Sequence, residues 1–140
     1  MRLAILLAAM MRLGTGGDVR ALAEAIAASD ATWDEAQWLA AIAYRESSYR
    51  LRAVGDHGRS LCAYQLQGAP REVLTDAALC TRLALHAFRA SARLCPSSPL
   101  AAYSDAALTT ALNTTIQLNS AGRPQTSVGT ETNVYLSSRA

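Results

Sequence analysis

Thr32-Trp33-Asp34-Glu35 has the form of a capping box, and an apolar run with helical spacing follows it to about Ser47. In such a box a hydroxyl and a carboxylate satisfy the orphan amides of a helix start. A helix opened there must bury its apolar stripe, so the rest of the chain has to build a core around it. Other segments supply it. Asp18 stands where it can cap a helix over residues 19–28, striped by Leu22 and Ile26. Residues 76–94 predict a long helix with Leu79, Leu83, Ala87 and Phe88 facing inward, and residues 100–118 a further helix. Between these lie a polar, glycine-containing stretch (49–58), a segment that reads as a short strand or the start of a turn (61–66), a break at Gly68-Ala69-Pro70, and the loop Cys95-Pro96-Ser97-Ser98-Pro99. Alanine and leucine dominate, while strand-favouring β-branched and aromatic residues are sparse. The expected fold is mainly α, with at most a small β-hairpin or irregular loop region.

A length of 140 residues suits one core and one domain. Residues 18–118 form the expected domain. Residues 119–140, rich in Ser, Thr, Gly and Asn without apolar period, read as a polar tail that can be removed without loss of the fold. Residues 1–17 carry a short apolar run behind Arg2. It reads either as an export signal or as a first buried helix stopped by Gly14, Gly16 and Gly17. The run is too short to span a bilayer, so no stable membrane span is expected.

All thirteen basic residues are arginine, yet the net charge is only +2, so no nucleic-acid partner is expected. His57 and His86 stand apart from each other and from the cysteines, which implies no metal site. There is no G-x-S-x-G motif and no phosphate-binding glycine pattern, so no cofactor is implied. The sequence specifies no oligomeric state.

Positions four apart share a helix face. Trp38, Ile42 and Glu46 therefore form one row, which puts a carboxyl group on the apolar stripe at the last turn. Burial disfavours the charged form of a carboxyl, which is what a general acid near neutral pH requires. The alternative is a partly exposed glutamate paired with Arg45, Arg50 or Arg52.

The run Glu46-Ser47-Ser48-Tyr49-Arg50-Leu51-Arg52-Ala53-Val54, followed by Gly58 and by Ala63-Tyr64-Gln65-Leu66, resembles the signature of the soluble lytic transglycosylase family, a branch of the lysozyme-like superfamily. The resemblance covers about residues 38–67 and, more weakly, 77–103. It implies a lysozyme-like helical domain acting on peptidoglycan glycan strands. Glu46 would be the general acid and base cleaving the bond between N-acetylmuramic acid and N-acetylglucosamine, leaving a 1,6-anhydro product. Gln65 and Ser48 would bond sugar hydroxyls and acetamido groups, and Tyr64 and Tyr103 would stack on sugar faces. Alternatives stay open. A hydrolase would need a second carboxylate, for which Asp56 is the acid in the adjoining loop, although Gly55-Asp56-His57-Gly58 also reads as a plain turn. Because Ser104-Asp105-Ala106 does not complete the family motif that follows the tyrosine, a degenerate glycan-binding or interaction module also remains. The resemblance implies the cell envelope, periplasm or exterior if the N-terminal segment is an export signal, and otherwise a cytoplasmic protein delivered by another system.

Cys62, Cys80 and Cys95 are too few for a disulfide scaffold. If 76–94 is one helix, Cys80 and Cys95 lie about 22 Å apart at about 1.5 Å per residue, beyond the reach of about 7 Å that a disulfide spans. In an exported protein Cys62–Cys80 is the plausible bridge, leaving Cys95 over, and in a cytoplasmic one all three are thiols.

Overall fold

The computed structural model describes residues 1–14, 17–101 and 103. The expected polar tail, and most of the helix expected over 100–118, lie outside the described residues. Leu100, Ala101 and Tyr103 lie in turns. The chain divides into two compact units, Met1–His86 and Ala87–Ala140. The fold is mainly helical, with a small three-stranded antiparallel sheet.

In the first unit, α1 (Arg2–Leu13) buries Leu6 and Met10 and ends at Gly14. The Arg2 guanidinium donates to the carbonyls of Ala31 (2.6 Å) and Thr32 (3.1 Å), tying the start of α1 to the linker between the next two helices. These are α2 (Val19–Ala28), burying Val19, Leu22, Ala23 and Ile26, and α3 (Trp33–Ser47). The capping box at the start of α3 is formed. The Thr32 amide donates to Glu35 Oε2 (2.7 Å), and the Glu35 amide donates to Thr32 Oγ1 (3.2 Å). Helix α3 buries Ala36, Leu39, Ala40, Ile42, Ala43 and Ser47.

The segment expected as strand or turn is both. Strands β1 (Val54–Gly55), β2 (Ser60–Leu61) and β3 (Leu66–Gln67) pair in that order, with Val54 opposite Leu61 and Leu61 opposite Leu66. The turn between β2 and β3 holds Cys62 and Gln65 in left-handed backbone, at φ 62° and 52°. Helix α4 (Ala77–Leu94) begins in the first unit and ends in the second. Asp76 Oδ1 accepts from the Leu79 amide (2.8 Å) and caps its start. Leu83, Ala87 and Phe88 are buried as expected, and Leu79 is half-buried. Cys62 and Cys80 form a disulfide, with Cα atoms 6.4 Å apart, that fastens the β2–β3 turn to α4. Cys95, in the second unit, is a free thiol.

Two tyrosines sit fully buried. Tyr64 pairs its hydroxyl with Thr81 Oγ1 (3.2 Å), and burial pushes its ionisation well up. Tyr49, whose ring lies 5.6 Å from that of Tyr44, is pushed from 10.0 up to about 12, by burial first and by Tyr44 second. Both rings are thus held neutral in the fold while the unfolded chain loses their protons near pH 10.0. Stability is fully present below that pH and falls as pH rises through about 12. Denaturation midpoints should decline steadily above pH 10; a flat profile there would contradict the burial of these hydroxyls.

Candidate functional site

Helix α3 ends in an unusual way. Ser48 (φ 53°) and Tyr49 (φ 62°) both take the left-handed conformation, and their amides return to the carbonyls of Tyr44 (2.7 Å) and Ala43 (3.2 Å). This closes the orphan carbonyls in the manner of a left-handed helix cap, but without glycine, at a cost of about 1–3 kcal/mol per residue. The buried Ser47 hydroxyl donates to the Ala43 carbonyl (3.0 Å) and accepts the Arg50 amide (3.0 Å). The Arg50 Nε donates to the Ser47 carbonyl (2.9 Å). The double reversal turns the chain back, so that Arg50, Arg52, Ala53 and Val54 line the same cleft as Glu46.

Asp18 and Gln65 complete that cleft, whose volume is about 400 Å³. All of its lining residues belong to the first unit. The size falls in the range of small-ligand clefts. Glu46 and Gln65, singled out separately in the sequence, thus share one opening.

Glu46 itself is exposed, which corrects the expectation of a carboxyl buried in an apolar wall. Helix geometry gives the reason. At about 100° per residue, Glu46 falls on the arc between Leu39 and Ile42, the side that packs inward. Ser47 keeps the last turn packed on one side, while the cleft opens at Glu46. Trp38 falls outside the arc and is 41 % exposed, so the expected row of Trp38, Ile42 and Glu46 is not one buried stripe. The alternative of an arginine partner does not hold either. Among the described residues Glu46 forms no ion pair with Arg45, Arg50 or Arg52, and no hydrogen bond engages its carboxylate.

Gln65 is held from two sides. Its amide and its Nε2 both donate to the Cys62 carbonyl (3.0 and 3.1 Å). Its Oε1 lies against Gly55, where an added Cβ would overlap it. Gly55 has extended backbone that any residue adopts, so its requirement is for space. Gly55→Ala should therefore leave the fold intact, because only the flexible end of Gln65 has to move. It should weaken the binding of any ligand that uses Gln65 by about tenfold, the loss of one good hydrogen bond. Binding titration of the variant checks this, and unchanged affinity would remove Gln65 from the site.

Several expected site residues lie elsewhere. Tyr64 has no exposed surface and belongs to the core, so it offers no face to a sugar. Tyr103 is 7 % exposed and belongs to the second unit, so its ring is largely covered as well. Ser48 is exposed, but its role in the fold is to end α3, and it does not line the cleft. Asp56 is a turn residue. It sits in left-handed backbone (φ 48°), its carboxylate accepts from the Ser60 hydroxyl, and it does not line the cleft.

The second acid of the cleft is Asp18. The sequence suggested that it caps α2, yet its side chain makes no capping bond. Its Oδ2 instead accepts the Leu51 amide (2.8 Å), thirty-three residues away. This bond braces the turn that follows Glu46. Nothing in the local pattern distinguishes an aspartate that caps its own helix from one that reaches across to another segment.

The chain matches no family model, and neither a curated protein nor a solved structure is significantly similar to it. Among the described residues no group of three or more His, Cys, Asp or Glu could hold a metal ion, and no helix is long and apolar enough to cross a membrane.

Proposed function

We propose that the protein is a peptidoglycan lytic transglycosylase with a lysozyme-like helical domain, and that Glu46 is its catalytic acid and base. The observation that carries this reading is a carboxylate without a partner among the described residues and a side-chain amide, Glu46 and Gln65, lining one open cleft. The sequence around them is the run that resembles the transglycosylase signature. A bound glycan strand would cover Glu46 and exclude water from it, the condition that favours a neutral carboxylic acid.

Glu46 would give its proton to the glycosidic oxygen as the bond from the muramic anomeric carbon breaks. The resulting carboxylate would take the proton of the muramic C6 hydroxyl, whose oxygen attacks the same carbon. One residue returns to its starting state, no water is consumed, and a 1,6-anhydro ring closes. Gln65 would hold an acetamido group or hydroxyl.

The Cys62–Cys80 bridge supports an oxidising compartment, the cell envelope or the exterior. A second reading, hydrolysis, is favoured by Asp18, since a second carboxylate in the cleft could serve a water molecule. Against it, one oxygen of Asp18 is already engaged by the Leu51 amide.

The test is the clearing of a purified peptidoglycan suspension with release of soluble fragments. Clearing by the wild-type chain is expected, and a suspension that stays turbid at high protein concentration would contradict the reading.

A further inference from the structure

We propose that Arg52, with Arg50 beside it, is a specificity site for a carboxylate carried by the glycan on its muramic residues. This rests on the glycan-cleaving reading of the cleft.

Both arginines line the cleft with Glu46. Among the described residues neither forms an ion pair with a carboxylate. Among the described residues the two acids of the cleft form no direct pair with them: Asp18 accepts the Leu51 amide, and Glu46 has no ion pair. Arg50 is partly committed, its Nε bonding the Ser47 carbonyl (2.9 Å). Arg52 carries no such bond and is exposed at the turn that the Asp18–Leu51 bond braces. A guanidinium presents a planar fork of donors that matches a carboxylate with two parallel hydrogen bonds. Two of them at the wall of a cleft of about 400 Å³ offer a carboxylate paired donors within reach of any ligand that contacts Glu46.

A chain of N-acetylglucosamine alone has nothing to offer that site. A muramic residue does: its lactyl group ends in a carboxylate when no stem peptide is attached, and a stem peptide brings carboxylates of its own. The cleft therefore favours muramic over plain N-acetylglucosamine chains through charge. Arg52 is a specificity-determining residue in this account and takes no part in proton transfer.

The experiment is calorimetric binding to the full chain of four tetrasaccharides: the stem-free muramic glycan, the same glycan with its lactyl groups converted to methyl amides, the glycan with stem peptides, and chitotetraose. The free acid should bind about tenfold more tightly than its amide and than chitotetraose. Arg52→Gln should remove that preference while leaving chitotetraose affinity unchanged, and Arg52→Lys should restore part of it. Tighter binding of the stem-bearing glycan alone, lost in Arg52→Gln, supports the same site with the peptide as the carboxylate source. Equal binding of acid and amide together with no gain for the stem-bearing glycan overturns the inference and leaves the glycan reading standing, as does an equal loss for all four ligands in Arg52→Gln. Failure of all four to bind overturns both.

Discussion

Glu46→Gln is expected to keep the fold and to lose glycan cleavage by about 10²–10⁴-fold, the range that general acid–base catalysis contributes. The amide has nearly the shape of the acid but can neither give nor take a proton. Stability should hardly change. Glu46 is exposed and holds no hydrogen bond or ion pair among the described residues. The change should therefore fall on turnover, with glycan affinity near that of the wild type. Rates of fragment release and thermal melts of the two proteins, measured side by side, check this. A variant that still clears peptidoglycan at the wild-type rate would remove Glu46 from the chemistry.

Loss of the Cys62–Cys80 disulfide should be the largest stability effect of any single change in the first unit. The bridge joins residues 18 apart. Opening a loop of that length releases about 3 kcal/mol of unfolded-state entropy, which lowers the melting midpoint by on the order of 10 °C. Both cysteines are fully buried, so Cys62→Ala with Cys80→Ala also leaves unfilled space in the core. The effect should extend to the cleft. Gln65 hangs from the Cys62 carbonyl by two hydrogen bonds, and the disulfide fixes that carbonyl against α4. Reduced protein should thus bind glycan more weakly even at temperatures where it stays folded. Melts with and without reductant, paired with binding titrations, test both parts. An unchanged midpoint after reduction would mean that the bridge contributes nothing to the fold.

What was legible in the sequence divides along a physical line. Local signals held. The capping box of Thr32 and Glu35 formed, the helix over Val19–Ala28 has the expected bounds, and the long helix ends at Leu94 as its pattern indicated. Each depends on neighbours a few residues apart, where side-chain chemistry acts directly on the backbone. Signals that depend on distant partners did not. Asp18 shows a cap pattern but spends its carboxylate on Leu51, and no local reading could have found that amide. Glu46 sits on the inward side of α3, as its spacing requires, yet it is exposed because the cleft opens at that point of the helix. Tyr64 stands next to Gln65 in sequence but points oppositely, into the core against Thr81, because adjacent residues of a tight turn face different sides. Helix length excluded a Cys80–Cys95 bridge, but only the fold decides that Cys62 meets Cys80.

Mass spectrometry of soluble fragments from a peptidoglycan digest carried out in ¹⁸O-labelled water separates transglycosylation by Glu46 from hydrolysis. Attack by the muramic C6 hydroxyl takes no oxygen from solvent. The account predicts fragments that end in unlabelled 1,6-anhydro muramic acid, absent from the Glu46→Gln digest. Reducing ends carrying ¹⁸O would contradict it, and would instead make the cleft of Glu46 and Asp18 that of a hydrolase.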